Sequence, residues 1–456
     1  MDPSPERFEL PRSAGQRSWL GRLAAVLIVL ALGACLGIAF FASAGQVVLR
    51  SIAGSGSAAV PEAATTPAPE VLAPLSDGVN LLLVQTESGD ILLMHPDGSE
   101  VRRLTSDATP QHSYGQPTWA PDARSVAWSE LRVGDSGLPS SGLYSQSLNS
   151  SEATRVDTGP FAPFYIYFSP DDRSLAFLSN WENGLALRLA PVGEAVAAAA
   201  PLAQGQPLYF DWSPDSDRIL AHVSSDHLDI LDRDGARSVV TTAPGEFTTP
   251  DWLESGSLLY VLRQPGDQRL VLGDTAGRVQ QVLAEHDGTI TFTASPDGRR
   301  VAYTVTRLSV PANAFGPLSV VDVETGATRV VSRSPVIAFF WSPDGRSIAY
   351  LTPEDTLPGQ VTIAQHEDVW LRWHVWDGDA SFPLAQFVPS DTYLLDHLRW
   401  FDQYALSSTP WAPDSSAFVF AGRGPSDASG IWVQPIAQGG EARRVAGGVH
   451  AVWSPR

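Results

Sequence analysis

Between residues 338 and 351 the chain sets two hydrophobic stretches around one polar turn. Ala338, Phe339, Phe340 and Trp341 form an unbroken apolar run, as expected of a strand buried on both faces. Ser342-Pro343-Asp344-Gly345 follows: proline presets φ, aspartate bonds to nearby backbone and glycine accepts a positive φ, so the chain reverses. Ser347, Ile348, Ala349, Tyr350 and Leu351 resume as β-prone residues and complete a hairpin.

Copies of this unit recur with their proline, or its equivalent Glu254, at positions 121, 170, 214, 254, 296, 343, 413 and 455. The intervals are 49, 44, 40, 42, 47, 70 and 42 residues, and all but the 70-residue one match a four-stranded propeller blade of roughly 40 to 50 residues. The chain ends on a first strand and turn, "AVWSPR", whereas residues 79–105 supply later strands without a first. Together they complete one blade, so the expectation is an all-β, eight-bladed β-propeller with mixed-terminus closure, which leaves no open sheet edge.

The repeated W-S-P-D-G-R-x-x-A-Y/F element, with "DILLMHPDGSEVRRLT" before its first copy, resembles the TolB-like β-propeller family, related in architecture to WD-repeat propellers. The resemblance covers residues 79–456. It implies an exported bacterial propeller that serves as a binding or assembly platform, and it transfers no activity, because one fold hosts many functions. Similar propellers precede the hydrolase domain of prolyl-oligopeptidase-like enzymes, whereas this chain is expected to end in its closing strand.

Ahead of the repeats, residues 1–22 are polar with four arginines, and residues 23–41 carry no charge. Nineteen apolar residues nearly span a hydrocarbon core that needs roughly 20, so residues 23–44 are read as one N-terminal transmembrane helix. Arginines before it place the N terminus in the cytoplasm and the propeller outside. Two rival readings stay open. Ala42-Ser43-Ala44 suits signal-peptide cleavage, and Leu32-Gly33-Ala34-Cys35 resembles a lipobox that would lipidate Cys35. Residues 45–76, rich in Ala, Pro, Ser, Thr and Gly, read as a linker, and residues 77–456 as the propeller.

Composition narrows the chemistry. A net charge of −20 repels phosphate backbones, so no nucleic acid partner is expected. All 30 basic residues are arginine, which removes Schiff-base lysines and the P-loop lysine. With a single cysteine and nine histidines lacking H-E-x-x-H spacing, no metal or other cofactor is expected. Gly134-Asp135-Ser136-Gly137 has no accompanying triad pattern and reads as a loop. The aspartates that follow the repeat prolines read as turn formers, and the tryptophans in phase with them as inter-blade packing.

The 70-residue interval holds an insertion, 388–408, in which Leu394, Leu395, Leu398, Phe401 and Tyr404 form an amphipathic helical stripe against Asp391, Asp396, Arg399, Asp402 and Gln403. A short helix packed over one face near the channel mouth is expected, as a lid or as packing. Inner-strand approaches bring Tyr114, Tyr165, Tyr209, Thr249, Thr289, Ser407 and His450 toward that mouth. The candidate ligand or partner-binding residues are therefore Tyr114, Tyr165, Tyr209, Arg399, Asp402, Tyr404, Ser407 and His450. No acid and base at a defined separation accompany them, so no catalytic residue is assigned. The expected function is a non-enzymatic module that binds a protein, a peptide or an envelope component and meets the membrane through its N-terminal helix. An extracellular hydrolase or lyase at the channel mouth is the alternative.

Overall fold

The computed structural model describes residues 79–456 except 183, 196–199, 247, 307–315, 355–368 and 425. The expected tail, membrane segment, linker and Cys35 lie outside the described residues. Among the described residues no helix is long and apolar enough to cross a membrane.

The protein is all-β, with antiparallel strands in seven hydrogen-bonded sheets in a propeller-like order. Six sheets have four strands. The seventh has seven strands, from Ala338–Trp341 to Arg443–Ala446, and its two parts are joined through the short pairing Val388↔Arg423 and Pro389↔Gly422. The last strand, His450–Trp453, pairs in register with Leu82–Gln85, so the two ends of the repeat region share one sheet.

Burial follows each strand's place in its sheet. The inner strand Ala338–Trp341 is buried at every residue, whereas the outer strand Thr328–Val336 exposes most of its side chains. The turn after the inner strand holds itself together. Ser342 Oγ donates to Asp344 Oδ1 at 2.6 Å and accepts from Ser347 N at 2.9 Å, while Gly345 adopts φ +67. Ala123, Asp172, Ser216 and Ser415 take the same left-handed position in other copies, at φ 60 to 66. Three of them reach back to the turn of the preceding repeat: Asp122 N donates to Asp172 Oδ1, Asp171 N to Ser216 Oγ and Asp344 N to Ser415 Oγ.

Neighbouring sheets are further tied by indoles. Trp212, Trp341 and Trp411 donate their Nε1–H to the carbonyls of Tyr167, Thr293 and Phe340 on the inner strand of the preceding repeat at 3.1 to 3.3 Å. These tryptophans fill the space between sheets and satisfy their polar edge there, as buried indoles require.

Candidate functional site

The inner strands surround a channel, and the insertion runs into it. A π-helical turn, Tyr393–His397, and a 3-10 turn, Leu398–Trp400, lead to a short α-helix, α1, Phe401–Ser407. α1 packs on the inner strands Phe164–Phe168, Leu208–Trp212, Thr289–Ala294 and Ala338–Trp341. The insertion is expected from sequence to pack over one face near the channel mouth, with an apolar stripe and a more polar side. In the structure Arg399, Asp402 and Gln403 are buried, and Leu395 of the apolar stripe is exposed. The reason is that an inner strand turns unpaired backbone groups toward the axis, so polar side chains inside the channel find partners. The Gln403 side chain pairs with the backbone of Phe210 as a neighbouring strand would, donating to its carbonyl at 3.0 Å and accepting from its N–H at 3.3 Å. Asp402 Oδ2 accepts from Thr249 Oγ1 at 2.9 Å. Tyr404 donates to Gln116 Oε1 at 2.5 Å, and Thr118 Oγ1 donates to the Ser407 carbonyl at 3.3 Å. Phe401 wedges against Phe339 and Phe340, with ring centres 4.8 and 5.8 Å away.

Most of the candidate residues read from the sequence gather around this insertion. Tyr165 meets Tyr404 edge-on at 5.3 Å, and Tyr209 meets Trp400 edge-on at 6.2 Å. The Arg399 guanidinium lies over Trp400 at 4.7 Å, and burial pulls its pKa down. Burial pushes the Asp402 carboxyl up to about 6. His450 stacks on His397 with ring centres 3.4 Å apart and planes 3° from parallel. Burial drives His450 down to about 3, and neither of its ring nitrogens has a hydrogen-bond partner in the protein. Tyr114 stands apart: its hydroxyl donates to Asp107, beside a buried Glu130 that is held by His112 and Arg155. Asp402 and His450 are only 6% and 3% exposed, so neither presents its acid or base group to a bulky substrate.

The open space lies at the other end of the channel, where the inner strands run into their turns. A cavity of about 420 Å³ is floored by Ala405, Leu406 and Ser408 and rimmed by the repeat prolines and tryptophans. Two carboxylates on adjacent inner strands, Asp211 and Asp251, line it together with Tyr167, Glu254 and Thr293. Each of the two aspartates also caps the next strand: Asp211 Oδ2 accepts from Trp252 N at 2.6 Å, and Asp251 Oδ2 from Ala294 N at 3.4 Å. Burial first, and the neighbouring Asp251 second, hold the Asp211 carboxyl well above the usual range, and burial raises Asp251 to about 6. Burial thus favours the protonated form of each carboxyl, and no basic residue is among the described lining residues of the cavity. No group of three or more His, Cys, Asp or Glu suited to a metal occurs among the described residues.

Sequence reasoning overlooked this pair, although a signal was present. The residue before the repeat aromatic is Thr118, Tyr167, Asp211, Asp251, Thr293, Phe340, Pro410 and Val452 in successive copies, and six consecutive members of that column, Tyr167 to Pro410, line the cavity. The more regular carboxylates of the repeat are the turn aspartates. Their carboxylates are occupied by the turn itself, as when Ser169 and Arg173 N both donate to Asp171 Oδ1.

No family profile and no curated protein matches the sequence. Among solved structures the chain is similar to a TolB from Acinetobacter baumannii, at 12% identity over 66% of this chain and 63% of that one, with a TM-score of 0.36. It is also similar to an oligogalacturonate lyase from Vibrio parahaemolyticus, at 14% identity over 70% and 84% of the two chains and a TM-score of 0.44. The β-propeller domain of the trilobed protease from Pyrococcus furiosus matches at 11% identity over 74% and 98%, with a TM-score of 0.44. The chain thus spans just under two thirds of the TolB and more of the other two. Their names span a TolB, a lyase and a protease domain, and likenesses this distant carry no activity to this chain.

Proposed function

We infer that the protein is a non-enzymatic recognition module, an eight-bladed propeller held outside the cytoplasm by a membrane-anchored N terminus. The blade count treats the seven-stranded sheet as two blades, the second completed on its inner side by residues 409–412 through the Trp411↔Phe418 bridge. In this reading residues 1–22 are the cytoplasmic tail, 23–44 the anchor, 45–76 the linker and 77–456 the propeller. The partner is a protein or peptide of the cell envelope, and one of its segments enters the cavity at the turn end.

The observation that carries this reading is the make-up of the turn-end cavity, which is walled by aromatic and proline rings around Asp211, Asp251 and Glu254. Apolar walls with a small number of placed polar groups are the usual make-up of a binding pocket. Intact-cell cross-linking of the full chain and of its Asp211→Asn/Asp251→Asn variant, followed by purification, tests it. The reading requires a specific partner on the wild-type chain and much less of it on the variant. Equal capture by both, or none by either, contradicts it. Protease treatment of intact cells tests the location: the propeller should be cut only if it lies outside.

A further inference from the structure

Two features of the turn-end cavity point to the chemistry of its occupant. One is charge. Asp211, Asp251 and Glu254 line it, and no described lining residue is basic. Arg218, Arg233 and Arg300 stack on Trp252, Trp212 and Trp341 with guanidinium carbons 4.9 to 5.9 Å from the ring centres. Arg233 and Arg300 also donate to the turn carbonyls of Ser216 and Gly345, and none of the three lines the cavity. The other feature is a hydroxyl. Thr293, which lines the same cavity, is only 7% exposed, and its Oγ1 has no hydrogen-bond partner in the protein. A buried hydroxyl left without a partner is uncommon and calls for a ligand or ordered water beside it.

A metal ion suits this lining poorly. Calcium takes six to eight oxygens, whereas Asp211 and Asp251 each commit an oxygen to a backbone N–H, and no cluster of metal-ligating residues forms among the described residues. An organic cation suits it better. An ammonium or guanidinium group would supply the missing positive charge and donate to the carboxylates and to Thr293 Oγ1. Its apolar stem would lie along the rings of Tyr167 and Phe340 in the cavity wall.

We propose that the turn-end cavity binds a lysine or arginine side chain of the partner segment, with its cationic head at Asp211, Asp251 and Thr293 and its stem against the aromatic wall. This rests on the reading of the cavity as the recognition site, and it can be tested without any partner.

The full chain in detergent is titrated calorimetrically with n-hexylamine, and with n-hexanol and hexanoate as stems of equal length, at pH 8. The site requires hexylamine to bind at least tenfold more tightly than hexanol, and hexanoate to bind least. Glu254→Gln, at an exposed rim position, should weaken hexylamine two- to threefold, and Thr293→Val a further few-fold. The Asp211→Asn/Asp251→Asn variant should bind hexylamine no better than hexanol. Should that variant fail to fold, the Glu254 and Thr293 variants carry the test. Equal binding of amine and alcohol, unchanged amine binding in these variants, or displacement of the amine by micromolar calcium would each overturn the cation site. Loss of amine selectivity with partner capture intact would sink this inference alone. Amine binding without any partner capture would instead sink the recognition reading.

Discussion

The two ends of the channel are built from the same repeated strand and differ in nearly everything that decides function. At the approach end the insertion brings its own side chains into the ring. Gln403, Asp402 and Tyr404 bond to inner strands of several sheets, and Phe401 fills the centre at 2% exposure. At the turn end the insertion supplies only the floor, Ala405, Leu406 and Ser408, the repeat prolines form the rim, and the carboxylates of Asp211 and Asp251 accept from the backbone N–H groups of Trp252 and Ala294 beside Tyr167, Glu254 and Thr293. Polar groups buried among partners rigidify a structure, whereas polar groups facing an empty cavity can recognise something else. An insertion that reads as either a lid or packing is bonded into the ring by its own side chains.

The comparison breaks most readily at Phe401. Replacing it with alanine should destabilise the fold by about 3 to 5 kcal/mol, the range for deleting a buried aromatic side chain. Leu406→Ala, at the half-buried cavity floor, should lose less than about 2 kcal/mol. Urea unfolding of the two variants checks the ordering, and similar losses would mean that the insertion is not a core element.

Asp402 sharpens it next. Its carboxyl is raised to about 6 by burial against about 3.9 unfolded, so the native state binds the proton more tightly and stability falls as pH rises from about 4 to 6. Asp402→Asn should therefore stabilise the protein by about 1 to 3 kcal/mol at pH 7. The gain should fade as pH falls through 6 toward 4. A gain that persists at pH 4 would place its cause elsewhere.

His450 has the opposite sign. Its folded value of about 3 lies below the unfolded 6.5 or so, so acid protonates the unfolded chain first and stability declines as pH drops below about 6.5. His450→Phe should spare the protein about 2 kcal/mol of the loss between pH 7 and pH 5. Unfolding curves at the two pH values read this directly, and a parallel decline in both proteins would contradict the burial of the stacked pair.

The smallest effect is expected at the turns. Ser415→Gly relieves a left-handed serine, a gain of roughly 1 kcal/mol, and removes its bond from Asp344 N, a loss of similar size. The midpoint of unfolding should hardly move. A large shift in either direction would show that one of these two contributions dominates.

These contrasts also say what can be read from sequence. The hairpin around Pro343 is legible because its causes are local: the apolar run, the turn chemistry and the β-prone return lie within 14 consecutive residues. The pairing of His450–Trp453 with Leu82–Gln85 is legible from the missing complementary strands at the two ends. The depth of the insertion is not, because Gln403 finds its partner at Phe210, 193 residues away, and a polar residue on a helical stripe reads as solvated until such a partner is known. The turn-end carboxylates were half legible. Their column in the aligned copies is plain, but only the closed ring brings Asp211 and Asp251 to one cavity.

Position-specific cross-linking in cells that make the protein tests the central claim most directly. A photoreactive phenylalanine analogue is placed at Glu254, beside the cavity, or at Leu395, exposed at the approach end, and the adducts on the full chain are compared. The account predicts one discrete partner adduct from position 254, lost when Asp211 and Asp251 are both asparagine, and none from position 395. The same adduct from position 395 but not from 254 would contradict it.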